Sequence, residues 1–211
     1  MPLINPYTIA MNRKHVTHSD YYQLNGVVYP INTTSQSGCF TPILKAGISQ
    51  LNIAYEKWGR VMVYFFGLHQ AEKTTDSKAI SSFINDRLKY HLSKRYGMDE
   101  LGYLWVREHE KAKSQHYHMA LFLDGDKIQH SNALARLVKQ QWEANTGQTI
   151  SYVKNSFYYV TNADQLSADD GPVNRLSYLA KERGKGYRLP QSKDYQASRL
   201  KSKQPTKETK P

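Results

Sequence analysis

Two histidines, His116 and His118, flank a single tyrosine at the start of an apolar run that extends to Leu123. Successive side chains of a β-strand point to opposite faces, so both imidazoles are expected to point the same way. Neutral imidazole is the commonest metal-ligating side chain. The pattern therefore predicts a metal site on a strand. The alternative is a pair of half-buried histidines that are hydrogen-bonded to their neighbours.

A carboxylate is available to complete this site. Residues 101–108 and 115–123 are predicted to pair as an antiparallel hairpin, which puts Glu108 at the end of the strand beside the histidines. Alternation turns His109 to the other face, and Glu110 falls in the turn. Two imidazoles and one carboxylate leave coordination positions open, so an ion held there would act as a Lewis acid on a substrate oxygen. Zinc suits these ligands as well as manganese does.

A candidate nucleophile lies in a second segment, a helix predicted to begin after Gly171 with Pro172 in its first turn. Tyr178 and Lys181 are three residues apart, which makes their side chains neighbours on a helix. A phenol, with a pKa near 10, is a weak nucleophile at neutral pH, but an adjacent cation favours the phenolate and can neutralise an attacked phosphate. The alternative is that Tyr178 packs beside a solvated lysine.

The composition points to a polyanionic partner. Lys and Arg number 29 against 18 Asp and Glu, a formal net charge of +11, which favours nucleic acid, although a small cationic protein with no such partner has the same balance. The one cysteine, Cys39, excludes a disulfide framework and a multi-thiolate zinc site. The longest apolar stretch, residues 61–66, is too short to cross a bilayer, and residues 1–14 lack a signal-peptide core. We expect a cytoplasmic protein without membrane contact.

Apolar periodicity predicts the remaining elements. In chain order they are a helix over 42–58, a strand over 60–68, a helix from Asp76 or Ser77 to near Gly97, the hairpin, a helix over 131–145 and a strand over 151–160. From the first strand onward the order is strand-helix-strand-strand-helix-strand. This order predicts an α+β fold, a ferredoxin-like split βαβ antiparallel sheet with helices on one face.

The chain is predicted to have one folded domain with unequal ends. Residues 1–37 are polar and interrupted by prolines, which predicts an irregular N-terminal arm. Residues 38–190 form the domain, and residues 191–211 are predicted to be a basic, disordered tail.

Together these motifs resemble those of the HUH endonucleases, whose metal motif is His-hydrophobic-His and whose nucleophile motif in replication initiators is Tyr-x-x-Lys. Arg107-Glu108, His116-Tyr117-His118 and residues 175–181 occur in the family's order and look most like the inovirus-type replication proteins of filamentous phages and prophages. The resemblance spans about residues 60–189.

The resemblance implies a rolling-circle replication initiator that nicks single-stranded or hairpin origin DNA. His116, His118 and Glu108 would hold Mg²⁺ or Mn²⁺, Tyr178 would form a 5′-phosphotyrosine link, and Lys181 would assist. A host helicase or polymerase is a further implied partner. Two departures stand out: glycine occupies position 67, where relatives often carry an acidic residue, and Tyr187 lies too far along for a paired-tyrosine arrangement.

Five basic residues near these motifs are candidate phosphate contacts, although each could equally be a solvated charge. They are Lys111, Lys113, Arg175, Lys185 and Arg188. Tyr117 is a candidate stacking surface for bases. Three other functions stay open: a noncatalytic RRM-like module that binds single strands, a zinc-dependent hydrolase, and an HUH nuclease of transposase or relaxase type.

Overall fold

The computed structural model describes residues 15–71, 74–108, 115–128, 131–182 and 193–202. Its elements in chain order are β1 (Val16–Thr17), β2 (Tyr21–Leu24), β3 (Val27–Pro30), β4 (Cys39–Phe40), α1 (Thr41–Trp58), β5 (Val61–Gln70), α2 (Lys78–Ser82), a π-helical segment (Phe83–Leu88), α3 (Lys89–Tyr96), β6 (Gly102–Glu108), β7 (Gln115–Asp124), α4 (Ser131–Thr146), β8 (Ile150–Val160), a 3₁₀ turn (Ala163–Leu166), α5 (Pro172–Ser177), a second 3₁₀ turn (Tyr178–Ala180) and β9 (Tyr195–Ala197).

The main sheet has five strands in the order β8-β5-β7-β6-β9, and every neighbouring pair is antiparallel. The α+β class with an antiparallel sheet is therefore confirmed. From β5 to β8 the elements also follow the predicted order, with helix 78–96 in the first connection and α4 in the second. Among the described residues, no helix is long and apolar enough to span a membrane.

Strand alternation divides the side chains of this sheet between two faces. We call the face that carries His116 and His118 the histidine face, and the face that carries Tyr117 the back face. Helices α2, α3 and α4 pack on the back face, whereas α1 and α5 pack on the histidine face. The prediction of helices on a single face is therefore wrong. The physical reason is visible in β5, which is buried without interruption from Val61 to Leu68, so that both faces need a cover.

Helix α1 is held close to the sheet on the histidine face. Gly47 lies so near that a Cβ there would come within 2.8 Å of side-chain atoms of Leu104 on β6 and of Leu176 on α5. The helix ends at Gly59, whose positive φ of 72° lets its N–H bond to the carbonyl of Tyr55. This close approach brings α5 against the same part of the sheet.

Part of the predicted irregular arm is ordered as a hairpin. Strands β2 and β3 pair through a two-residue turn in which Asn25 and Gly26 have positive φ values of 52° and 82°. Asn-Gly is the preferred sequence for such turns because both central residues must adopt positive φ. The hairpin also reaches the core, since Tyr29 is buried and its hydroxyl accepts a hydrogen bond from Asn52 of α1 at 2.8 Å. The prediction is therefore wrong for residues 21–30, and residues 1–14 lie outside the described part.

The start of the predicted tail is also ordered. Strand β9 pairs with the outer edge of β6, and Leu200 is buried beyond it. The side-chain carbonyl of Gln50 on α1 accepts hydrogen bonds from the backbone N–H of Leu200 at 2.8 Å and the hydroxyl of Ser198 at 2.5 Å. The backbone groups along the β6 edge need partners, and this segment supplies them despite its polar sequence. Residues 203–211 lie outside the described part.

Replacing Tyr64 by phenylalanine is expected to raise the free energy of unfolding at neutral pH. It is also expected to make that free energy fall less steeply as the pH rises above about 10. The buried hydroxyl of Tyr64 has no hydrogen-bond partner in the described structure, and such a group costs about 1 kcal/mol or more of the free energy of unfolding. Burial, and then the charge of Tyr152, raise the pKa of Tyr64 above its ordinary value of 10.0. Below about pH 10 both states keep the proton; above it the unfolded state loses its proton first, so the free energy of unfolding falls as pH rises.

Urea unfolding at a series of pH values from about 7 to about 11 measures both effects. Tyr21→Phe, at an exposed tyrosine of the β2–β3 hairpin, is the control. A Tyr64→Phe variant that is less stable than wild type at neutral pH, or that loses stability equally steeply above pH 10, contradicts the argument.

Candidate active site

The predicted metal ligands meet at the ends of β6 and β7. Glu108 lies directly opposite His116 in the strand register, and His118 lies two residues further along the same face. His118 Nε2 and Glu108 Oε2 are 2.8 Å apart, a hydrogen bond or ion pair depending on the protonation of the imidazole. The two side chains are 29% and 20% exposed, so the pair is partly shielded but open to solvent. The structure therefore brings the three predicted residues together.

A third histidine joins them from the neighbouring strand. His69 on β5 lies opposite His116, and the two rings meet edge to face with their centroids 4.6 Å apart. His69 Nε2 also forms a hydrogen bond with the hydroxyl of Ser151 on β8. The comparison with the HUH pattern draws attention to His69, at the end of the strand that carries Gly67, whereas nothing in the sequence marks Ser151. The resulting row of polar side chains crosses four strands.

Gly67 leaves room in front of this row. It lies opposite His118 on one side and Ser151 on the other, and a Cβ at this position would stand 3.2 Å from the Cβ of Ser151. The glycine noted as a departure from the HUH pattern thus lies between His118 and Ser151, where any side chain would crowd Ser151.

The donor chemistry of Glu108, His116 and His118 suits a divalent ion, and their register makes them neighbours. The side chains of Glu108 and His118 bond to each other, however, and within the described ranges no three His, Cys, Asp or Glu side chains are arranged to hold an ion. Residue types and strand positions therefore fit a metal, while the rotamers are those of a histidine–carboxylate hydrogen bond.

A buried polar network supports these strands from the back face. Arg107 is 1% exposed and donates to the carbonyls of Thr74, at 3.2 Å, and Asp76, while its guanidinium lies 5.3 Å from the ring centroid of Tyr117. Gln115 donates to the Tyr117 hydroxyl at 2.8 Å. Burial raises the pKa of Tyr117, although the nearby Arg107 opposes the shift. The prediction that Tyr117 offers a stacking surface is therefore wrong, because alternation turns it into the core.

Tyr178 lies on the histidine side of the sheet. Its segment packs there because the flanking Leu176, Leu179 and Ala180 belong to the same buried cluster as Val106, which faces His118 across the register. The tyrosine itself is 51% exposed. A nucleophile must reach a large substrate, and this exposure allows it.

The helix that bears Tyr178 is shorter than predicted. Helix α5 ends at Ser177, a 3₁₀ turn follows, and Lys181 has an extended backbone with φ −55° and ψ 143°. Lys181 forms a β-bridge with Cys39, and this tertiary pairing ends the 3₁₀ turn. The expectation that Tyr178 and Lys181 lie on one α-helix is therefore wrong, whereas the proximity of their side chains stays a prediction. The cation over the Tyr178 ring is Arg175, whose guanidinium carbon is 5.4 Å from the ring centroid.

Ser177 fixes the backbone just before Tyr178. Its buried hydroxyl accepts a hydrogen bond from the N–H of Asn32 at 2.8 Å and donates to the carbonyl of Asn174 at 2.6 Å. The Cys39 thiol donates to the Ser177 carbonyl at 3.5 Å. The segment after β3 and the start of β4 thus hold the tyrosine-bearing turn in place.

Most of the predicted DNA contacts cannot be placed. Of the five candidates Arg175 is described, whereas four lie outside the described residues: Lys111, Lys113, Lys185 and Arg188. The same is true of three other residues considered above, His109, Glu110 and Tyr187.

Residues 31–193, well over half of the chain, match the model of the YagK/YfjJ C-terminal domain, and the chain belongs to this family. The β2–β3 hairpin and β9 lie outside the matched residues. The chain is also 28% identical over 103 residues to "Uncharacterized protein YfjJ" of Escherichia coli (strain K12), a match that covers 40% of this chain and 49% of that protein. No solved structure matches. These names carry no activity, so the HUH resemblance stays a prediction.

Proposed function

We propose that this protein is a metal-dependent, single-tyrosine DNA endonuclease and strand transferase of the HUH type, which initiates rolling-circle replication at an origin. The observation that carries the proposal is the meeting of Glu108, His116 and His118 at the strand ends, on the face where the Tyr178 segment packs. A sheet without this chemistry would not need a carboxylate, two histidines and an exposed tyrosine on one face.

The topology supports a ferredoxin-like core. Numbered from β5, the four strands β5, β6, β7 and β8 lie in the order fourth-first-third-second, all antiparallel. This is the arrangement of a split βαβ sheet, in which the hairpin strand β7 is inserted between β5 and β6. Strand β9 and helices α1 and α5 would be additions to that core.

The proposed reaction transfers the 5′ phosphate at the cleavage site from the DNA strand to a tyrosine of the protein. Tyr178 Oη attacks the scissile phosphorus, the bond from phosphorus to the 3′ oxygen breaks, and a 5′-phosphotyrosine link and a free 3′-hydroxyl result. The phenolic proton passes to solvent, and the departing 3′ oxygen takes a proton from solvent. Glu108, His116 and His118 would hold Mg²⁺ or Mn²⁺, which when bound supplies positive charge to the scissile phosphate.

Positive charge on the protein would hold the substrate. A net charge of +11 favours a polyanion, and the candidate contacts to a single-stranded or hairpin origin are Arg175 with Lys111, Lys113, Lys185 and Arg188. Lys181 remains a candidate to assist the attack. The free 3′-hydroxyl would prime synthesis by a host polymerase, with a host helicase opening the duplex.

The test incubates the full chain and Mn²⁺ with single-stranded oligonucleotides tiled across the noncoding DNA that flanks the gene. A label at the 3′ end follows the covalent product, and a label at the 5′ end follows the released strand. Trypsin should yield the peptide of residues 176–181, whose one tyrosine is Tyr178, bearing a nucleotide. The adduct should be absent in chelator.

Three outcomes contradict the proposal and point elsewhere. Cleavage without an adduct indicates a metal-dependent hydrolase, such as a zinc enzyme. Binding without cleavage on any oligonucleotide indicates a noncatalytic single-strand-binding module. An adduct on a transposon-end or plasmid-transfer sequence, with none at a replication origin, keeps the chemistry and changes the role to that of a transposase or relaxase.

A further inference from the structure

The cation nearest the proposed nucleophile comes from the helix that precedes it. Arg175 and Tyr178 are three residues apart across the junction of α5 and the 3₁₀ turn, so their side chains meet on one side. At 5.4 Å from the ring centroid, the guanidinium is within the range of a cation–π contact. Lys181, by contrast, follows the end of the turn in an extended conformation, with its backbone paired to Cys39.

The Arg175 side chain has a hydrogen-bond donor that no described residue uses. Its Nε is buried and has no hydrogen-bond partner in the described part of the chain. A guanidinium carries five N–H donors in a planar fork and no acceptor, so the missing partner must be an acceptor. Carboxylate and phosphate oxygens are the acceptors that fit this fork best.

The charge of Arg175 reaches a second tyrosine on the same face. Tyr158 on β8 faces Val63 in the register and packs edge to face against Phe65. Burial raises the pKa of Tyr158, and the positive charge of Arg175 opposes that shift. The positive charge of Arg175 thus acts on Tyr158 in the sheet, where Asp170 opposes it, and lies over the ring of the exposed Tyr178, to which a phosphate would be joined.

We infer that Arg175, and not Lys181, binds the phosphate that Tyr178 attacks. This inference rests on the proposed function. The guanidinium would donate to the nonbridging oxygens of the scissile phosphate as the bond from Tyr178 Oη to phosphorus forms and the bond to the 3′ oxygen breaks. Arginine stays protonated throughout, so it supplies charge and geometry and transfers no proton.

The experiment compares four variants of the full chain: Arg175→Gln, Arg175→Lys, Lys181→Gln and, as a matched control, Arg95→Gln. Arg95 lies over the ring of Tyr96 at 5.5 Å, in α3 on the back face, so its replacement removes a similar cation–π contact away from the site. Thermal unfolding verifies that each variant is folded. If Arg175→Gln is unfolded, the rate of adduct formation in Arg175→Lys tests the inference, since lysine keeps the charge and loses the planar guanidinium.

The first measurement is binding of a single-stranded oligonucleotide in chelator, by fluorescence anisotropy at several salt concentrations. Arg175→Gln should weaken binding about tenfold and lower the slope of log affinity against log salt by about 1. Arg95→Gln should leave both values at those of wild type. Equal behaviour of the two variants overturns the inference.

The second measurement is the single-turnover rate of adduct formation in Mn²⁺ at saturating DNA. Arg175→Gln should lower this rate about 100-fold, because a donor to the developing charge is lost, and Arg175→Lys should recover the salt slope but only part of the rate. A larger loss in Lys181→Gln than in Arg175→Gln overturns the inference. If wild type forms no adduct, the proposed function fails, and the salt slopes alone decide whether Arg175 contacts phosphate.

Discussion

Replacing Tyr178 by phenylalanine is expected to abolish the covalent DNA adduct, lowering its rate of formation by at least about 10⁴-fold, while single-stranded DNA still binds. The substitution removes the attacking oxygen and nothing else that the structure uses. The ring stays in place, because Leu176 and Leu179 are buried on the sheet and Arg175 still lies against it. Denaturing gel electrophoresis of 3′-labelled DNA measures the adduct, and anisotropy measures the binding.

Tyr90→Phe is a closely matched control for this substitution. Tyr90 is 54% exposed and has a cation over its ring, Lys94 Nζ at 5.5 Å from the centroid, yet it lies on α3, which packs on the back face. We expect this variant to form the adduct at the wild-type rate. An adduct that persists in Tyr178→Phe, or that is lost to the same degree in both variants, shows that the nucleophile lies elsewhere.

Replacing Glu108 or His118 by glutamine is expected to weaken Mn²⁺ binding about 100-fold or more. Changing a group that merely orients a ligand commonly costs 10- to about 100-fold in metal affinity, and loss of a ligand should cost at least as much. Isothermal titration calorimetry of the metal-free chain with Mn²⁺ measures this without DNA or turnover. Adduct formation should fall in parallel, and because the calorimetry contains no DNA, it separates a metal effect from a loss of DNA binding.

His91→Gln serves as the control, since this histidine belongs to α3 and lies against Tyr90. It should bind Mn²⁺ as wild type does. Wild-type chain that takes up no Mn²⁺, or Glu108→Gln and His118→Gln variants that bind as well as His91→Gln, would mean that the Glu108–His118 hydrogen bond is a structural contact only.

The parts of the site that follow from local geometry could be predicted from sequence. Strand alternation puts His116 and His118 on one face whatever the rest of the chain does, and a short hairpin brings Glu108 beside them. The neighbours His69 and Ser151 belong to strands that are distant in sequence, so only the tertiary register makes them adjacent. Alternation also puts Tyr117 on the face opposite the two histidines, away from the candidate site.

The end of α5 at Ser177 could not be predicted, because it is not encoded in the residues of the helix itself. Residues 172–181 contain no glycine or second proline that would stop a helix. The 3₁₀ turn that follows α5 ends where Lys181 pairs with Cys39, some 140 positions earlier in the chain. Arg175 lies within α5 and contacts Tyr178, the neighbour that helical spacing predicts for it.

Two errors at the chain ends have different origins. The Asn25-Gly26 turn is a local hairpin signal, flanked by residues with high β-propensity, and it was available in the sequence. Strand β9 has no such signal, because its three residues lie in a polar, basic segment and are too few to show an apolar alternation. It is ordered by the open edge of β6 and by Gln50 on α1, both of which are far away in sequence.

The row from Ser151 through His69 and His116 to Glu108 takes one residue or more from each of β8, β5, β7 and β6. Fraying of one strand end removes one member of this row, whereas the whole row is lost only when the central strands of the sheet separate. Whatever occupies it is therefore coupled to global unfolding, and tight binding there raises the melting temperature of the entire domain.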